Sequence, residues 1–206
     1  VASDGQVCCV GRGGTDYTAA EVATKLEADR LIFWKDSNGL QTADPRLVKQ
    51  AVNVEHVSLH TLDLMSYAGS EVLHRKVTQV LANSSCKIGF CNPHKGQSVL
   101  TQVHREHWAS GKPIMVVSHA ESDSENSIIT VITRNVTMAI IHINDIKTRY
   151  ANVSDLSYGA DFVRFSIPSD FVADALAFMH RVFFSSDSEI DSKMELSSND
   201  LVVVQE

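Results

Sequence analysis

Residues Gly11–Asp16, "GRGGTD", gather several groups that bind small charged molecules. The Arg12 guanidinium is a planar fork that fits a carboxylate through two parallel hydrogen bonds. Gly13 and Gly14 let the backbone approach a ligand closely. At a helix start, the free N–H groups and the positive end of the dipole favour an anion. Thr15 adds a hydroxyl, and Asp16 can bind a cationic group. A guanidinium, N–H donors and a carboxylate together suit a zwitterionic amino acid. The same six residues would equally make a plain strand-to-helix turn with an arginine at the surface.

A second polar stretch follows. Lys35 and Asp36 come directly after the apolar run "LIFW", and "TADPR" adds Thr42, Asp44 and Arg46. Loops at the carboxyl ends of strands are where open α/β sheets bind ligands. Pro45 fixes the backbone and pushes Asp44 to an extended conformation. Such a loop can hold a nucleotide against the sheet edge, with Lys35 and Arg46 near the phosphates. Taken alone, "TADPR" reads first as a turn whose Asp44 caps a helix.

The elements that must position these loops follow from periodicity. "QVCCVG" reads as a short buried strand. "TDYTAAEVATKLEAD" reads as a helix capped by Thr15 or Asp16, with Ala19, Ala20, Val22, Ala23 and Leu26 as its apolar positions. "RLIFW" is a strand covered on both faces. "SLHTLDLMSYAGSEVLHRKVTQVLANSS" is mostly helix, broken or bent at Gly69, and "CKIGFC" is another strand. This β-α-β-α-β run means a parallel sheet layered by helices.

Beyond it the texture changes, with a boundary expected at Asn92–Gly96. Residues 119–127 read as a polar linker or exposed hairpin; "IITVIT", "MAIIHI" and "FVRFSI" read as strands. "PSDFVADALAFMHRVF" is an amphipathic helix with Ser169 as N-cap, and "LVVV" is one more strand. The second half is therefore expected to be an α+β module.

Bulk properties narrow the partners. The 206 residues are 44% apolar and carry 18 Lys and Arg against 25 Asp and Glu, a formal charge of −7. That balance argues against nucleic acid, which attracts basic faces. No apolar run approaches the roughly 20 residues that span a bilayer, so no membrane association is expected. Four cysteines do not make a disulfide framework, and a reduced, cytoplasmic compartment is expected. "HREH" and "HVSLH" have spacings a metal could use on a helix, but no Cys or acidic partner completes a motif. No metal site is assigned.

In combination, "GRGGTDYTA", "WKDSNGLQTADPR" and "YAGSEVLH" resemble, in order and spacing, the aspartate kinases of the amino acid kinase superfamily. The resemblance implies the partial α/β amino acid kinase fold over residues 1–92. It implies transfer of a phosphoryl group from ATP, with Mg2+, to the side-chain carboxylate of L-aspartate, the first step of lysine, threonine and methionine biosynthesis. By position, Arg12, Gly13, Gly14, Thr15 and Asp16 fall on the aspartate-binding loop, with Arg12 and Asp16 in the catalytic role. Lys35, Asp36, Gln41 and Arg46 fall on the nucleotide-binding positions. Gln41 stands where Tyr or Phe is common, and Glu71 where many bacterial members have Lys; "GSEV" is similar to the fungal-type branch. Arg75 replaces a usual Pro. The family's "KxGGT/S" segment, which holds the ATP phosphates, is not found in this sequence. The chain is thus expected to be the carboxyl-terminal part of such a kinase, truncated at both ends and inactive in isolation.

Residues 93–206 resemble the ACT regulatory modules that follow the kinase domain in this family. The resemblance implies a homodimer formed through this region and a lysine or threonine effector, with Asp155 in a loop facing Asn135 and Val136. "NVTMAIIHINDIKTRYANVSDL" leaves little room for the helix such a module needs, so that helix is expected to be short, remodelled or missing. A different class of function is a non-catalytic regulatory subunit or fragment that binds lysine or threonine.

Overall fold

The computed structural model describes residues 3–6, 11–96, 98–106, 113–119, 125–150 and 152–184. The strand expected at "QVCCVG" and the one expected at "LVVV" lie outside the described residues, apart from Gln6 and Gly11 at the edges of the first.

Among the described residues, two four-stranded sheets organise the fold. The first contains β1 (Arg30–Trp34), β2 (His56–Ser58), β3 (Lys87–Cys91) and β4 (Thr101–His104) in the order β1-β3-β4-β2. β1 runs parallel to β3, with Phe33 paired to Phe90 in register, as the β-α-β pattern requires. β4 runs antiparallel to β3 and parallel to β2. β4 lies past residue 92, so this sheet extends beyond the boundary expected from composition.

Helix α1 (Gly14–Lys25), α2 (Leu59–Tyr67) and α3 (Arg75–Ala82) cover this sheet. The expected cap of α1 is corrected. Gly13 is the N-cap, in a left-handed conformation, and Thr15 and Asp16 lie inside the first turn. Only Ala20 and Ala23 of the expected apolar face are fully buried, whereas Val22 and Leu26 are exposed. In α3, Val77 and Leu81 recur one turn apart and are both completely buried. Burying each is worth roughly 1.5–3 kcal/mol. β1 is covered less than expected: Phe33 is buried and stacks on Phe90 at 5.6 Å, while Trp34 is half-exposed.

Gly69 separates α2 from α3, as expected, at φ +93°. A Cβ there would meet the Cβ of Ser118 at 2.8 Å. The break is therefore also where the first half presses on the second.

The second sheet is antiparallel, in the order β5-β6-β8-β7, from β5 (Ile114–His119), β6 (Asn126–Ile132), β7 (Ser154–Tyr158) and β8 (Phe162–Pro168). β5 and β6 are antiparallel neighbours, with His119 paired to Ser127, and the linker or hairpin expected between them lies mostly outside the described residues. Helices α4 (Val136–Arg149) and α5 (Val172–Phe184) complete it. α4 overturns two expectations. "MAIIHI" is helix rather than strand, and the helix expected to be short or missing has 14 residues. Asn135 caps it by accepting from the Met138 N–H at 3.2 Å, and Ala139, Ile143 and Ile146 recur at helical spacing with no exposure. Period 3.6 wins over the β-branched composition. Ser169 does not cap α5; it opens a single 3-10 turn, Ser169–Phe171, that leads into the helix. Val172, Ala175, Leu176 and Met179 face the core as expected.

Two cores result, and each borrows from the other half. Ile114, Val116 and Ile132 pack with the α2–α3 core, and Ala43 and Val48 pack with Ile129, Ile143, Phe165 and Met179.

Candidate active site

The Gly-rich loop enters α1 through Gly13, at φ +73°. This conformation is cheap only for glycine. A Cβ at Gly13 would meet the Cβ of His74 at 2.9 Å, so the loop lies tight against the N-cap of α3. The turn closes through Gly14 N–H to the Gly11 carbonyl at 3.1 Å, and Tyr17 N–H to the Gly13 carbonyl at 3.0 Å. The N–H groups of the first turn of α1 therefore open toward the loop, and Thr15 and Asp16 stand beside them.

Asp16 and Lys35 meet. The Lys35 ammonium donates to Asp16 Oδ2 at 2.6 Å, and both side chains are mostly shielded from solvent. Lys35 leaves the end of β1, held by its N–H to the Cys91 carbonyl at 2.9 Å. The sequence thus brings the α1 start and the carboxyl end of β1 to one place, with a carboxylate and an ammonium in contact. Arg12 forms an ion pair with Glu71, both of them exposed. Glu71 precedes α3, so a residue noted only as a departure from the family pattern becomes the partner of the loop's guanidinium.

Asp36 is exposed, and Asn92 organises its loop. The buried Asn92 amide donates to the carbonyls of Asp36 at 2.9 Å and Ser37 at 3.2 Å, while its Oδ1 accepts from the His94 N–H at 2.8 Å. Asn92 was not singled out from the sequence. The readable signal was an Asn at the end of a strand and directly before Pro93, a common turn chemistry.

Gln41 sits in an isolated antiparallel bridge to Asn53, at the mouth of a ribbon in which Val54 N–H donates to the Leu40 carbonyl at 2.8 Å. Thr42 is completely buried, with its hydroxyl 3.1 Å from His180 Nε2, so it is not available to a ligand. Asp44 caps the turn after it, accepting from the Arg46 N–H at 2.9 Å. Its carboxylate also takes the Arg46 guanidinium through Nε at 3.0 Å and Nη2 at 2.7 Å. These hydrogen bonds hold the Asp44 carboxyl below the usual carboxylate range despite partial burial. Asp44 and, more weakly, Glu71 hold the Arg46 guanidinium protonated, so Glu71 lies within electrostatic reach of Arg12 and Arg46 alike.

The proposed effector residues are arranged differently. Asp155 belongs to the edge strand β7 and not to a loop, at an irregularity in pairing between Ser154 and Ser157. Ser154 pairs with Ser166, toward one end of β8, whereas Asn135 and Val136 follow Ile132, which pairs with Phe162 at the other end. The histidine motifs do not form a helical metal site: His56 and His104 lie on the neighbouring strands β2 and β4, with Nδ1 and Nε2 3.0 Å apart, and His107 lies outside the described residues. No helix among the described residues is long and apolar enough to cross a membrane.

Residues 1–92 match the sequence model of the amino acid kinase family. The lysine-sensitive aspartokinase 3 of Escherichia coli is 40% identical over 70 residues, 34% of this chain and 16% of that protein. The aspartokinase of Saccharomyces cerevisiae is 45% identical over 65 residues, 32% of this chain and 12% of that protein. The chain thus aligns with only a small part of these relatives. Among solved structures, E. coli aspartokinase III in complex with aspartate and ADP superposes with a TM-score of 0.74 at 16% identity, covering 88% of this chain and 58% of that one. That likeness extends the shared fold through both sheets. Over its first 92 residues, therefore, this chain is similar to the amino acid kinase family, and the relatives it aligns with are aspartokinases.

Proposed function

We propose that this chain is part of an aspartate kinase, transferring the γ-phosphoryl group of ATP to the side-chain carboxylate of L-aspartate. The observation that carries the reading is the junction at the start of α1. There the Asp16–Lys35 pair joins the N–H groups beyond Gly13 to the carboxyl end of β1, with Arg12 on the same loop. In this reading Arg12 forks onto a substrate carboxylate. Gly13 and Thr15 supply N–H and hydroxyl donors, Gly14 allows the close backbone approach, and Asp16 offers its second oxygen to the substrate ammonium. Lys35 is steadied by Asp16 so that its positive charge faces the phosphates. Asp36, Gln41 and Arg46 complete the nucleotide side, with Arg46 exchanging Asp44 for phosphate.

Phosphoryl transfer rests on positioned cations and donors rather than on covalent chemistry by the protein. Among the described residues no group of three His, Cys, Asp or Glu side chains could hold a metal, and Asp16 is already paired. These residues do not make a magnesium cage, so a Mg2+ ion would come with the phosphates of the nucleotide.

The test is Arg12→Ala in the full polypeptide. kcat/KM for aspartate is expected to fall by about 100-fold, the scale of losing a charge-assisted bidentate contact, with the KM for ATP nearly unchanged. Unchanged aspartate kinetics would remove Arg12 from the site.

The second reading, an ACT-like regulatory region over residues 93–206, gains support from α4. The N-terminus of this helix, capped by Asn135, supplies the N–H donors that an amino acid carboxylate needs. In this proposal lysine or threonine is the effector, held at the start of α4 by Asn135 and Val136, and the region pairs two copies into a homodimer. A cytoplasmic setting fits the free, buried thiols of Cys86 and Cys91.

A further inference from the structure

Thr42 is held from both halves of the chain. Its N–H donates to the Val52 carbonyl at 3.0 Å, within the ribbon that carries Gln41. Its carbonyl accepts from the N–H of Met115 in β5 at 2.8 Å. Its hydroxyl oxygen accepts from the Val52 N–H at 3.1 Å and lies 3.1 Å from Nε2 of His180 in α5. That oxygen keeps a second lone pair and its own hydrogen, so it can bond to Nε2 in either imidazole tautomer. The ring cannot swing away easily: it is 4% exposed and stacks on Phe184 at 4.3 Å. A fully buried hydroxyl bonded to a fully buried imidazole 138 residues away is a costly arrangement to leave half-satisfied. Gln41 directly precedes Thr42, and Asp44 and Arg46 follow within four residues.

We propose that His180 is a positioning residue: through its hydrogen bond to Thr42, helix α5 sets the loop Gln41–Arg46 in the geometry that binds nucleotide. The inference rests on the nucleotide reading of that loop given above. It assigns the second half a direct mechanical hold on the nucleotide side of the site, separate from the aspartate side at Arg12–Asp16.

The experiment is calorimetric titration of the full polypeptide with ADP and, separately, with L-aspartate. His180→Leu and Thr42→Val should each weaken ADP binding about 5- to 10-fold, the scale of one lost buried hydrogen bond. Aspartate binding should stay within about twofold. His180→Gln, whose amide oxygen can take the place of Nε2, and Thr42→Ser should remain near the parent protein. The double variant should be no worse than the weaker single one, since both remove the same bond. Equal losses for His180→Leu and His180→Gln, equal weakening of ADP and aspartate, or no change in ADP binding would overturn the tie. Should His180→Leu fail to fold, the nearly isosteric Thr42→Val carries the same expectation. Gln41→Ala and Arg46→Ala separate the two levels. If these leave ADP binding intact, the nucleotide reading falls and the tie with it. If they weaken ADP while His180→Leu does not, only the tie falls.

Discussion

Replacing Gly13 by Ala perturbs the loop at its tightest point, and the structure fixes the size of the effect. The residue has φ +73°, where a non-glycine side chain costs about 1–2 kcal/mol. The new methyl would lie 2.9 Å from the Cβ of His74. Carbon atoms settle at about 3.5–4.0 Å, so loop and helix must part by roughly 0.6 Å or more. Crowding of this kind costs about 1–3 kcal/mol. The sum, about 2–5 kcal/mol, is a large share of the 5–15 kcal/mol typical of a domain. With a urea m-value of about 2–3 kcal/mol/M, the midpoint should fall by about 1–2 M. The atom met is a Cβ, which makes the prediction sharper. His74→Ala keeps that atom and should not relieve Gly13→Ala, whereas His74→Gly removes it and should recover the steric part. The left-handed part should remain in both. Each single His74 variant is the reference, because either loses the cap bond from the Lys76 N–H to Nδ1. Gly13→Ala as stable as the parent, or rescued equally by His74→Ala and His74→Gly, would refute the geometry.

Three further outcomes are expected. Glu71→Gln frees Arg12, and because an exposed ion pair is worth at most about 1 kcal/mol, the KM for aspartate should fall by no more than about fivefold; a rise would show that Glu71 assists the substrate instead. Asp44 titrates lower in the folded chain because Arg46 binds its ionised form, so its contribution is present above the unfolded value of about 3.9 and is lost as pH falls through the folded one. Asp44→Asn should therefore lower the urea midpoint near neutral pH, and the gap should close in acid; a gap that persists below pH about 2 would contradict the pairing. Millimolar lysine or threonine should raise the melting temperature, by the equivalent of about 2.7 kcal/mol at a hundredfold excess over Kd. A folded, dimeric sample that neither amino acid stabilises would leave the second half without an effector.

The parallel pair β1–β3 was legible because "RLIFW" and "CKIGFC" are continuous apolar runs flanked by helical periodicity. β2 and β4 were not, since three- and four-residue strands such as His56–Ser58 carry too few side chains to show a period. α4 was misread because isoleucines at 140, 141 and 143 look like a strand in isolation; only the wider spacing of Ala139, Ile143 and Ile146 shows the buried stripe. Within the site, the residue types of "GRGGTD" suited a binding loop and a plain turn equally, and no local pattern could join Asp16 to Lys35 or Arg12 to Glu71. Those contacts span 19 and 59 residues and exist only once β1 and α3 are packed. Asp44 was legible in part: it caps a turn, as a local Asp-Pro pattern can show, but no helix follows and its grip on the Arg46 guanidinium was not read.

The borrowed core residues bear on how such a chain can be taken apart. Ile114, Val116 and Ile132 are buried with the first half, and Ala43 and Val48 with the second. Separating the halves at the loop that follows Asn92 would therefore uncover apolar surface on both pieces and deprive Thr42 of Met115 and His180, leaving it only Val52. Heating should accordingly melt the two sheets in one calorimetric peak. A chimera that takes its second half from a relative would have to import matching side chains at 43, 48 and 69 as well. In this chain the join between modules is a surface that must be inherited as a unit, and recombination at the apparent linker is the least favourable place to exchange them.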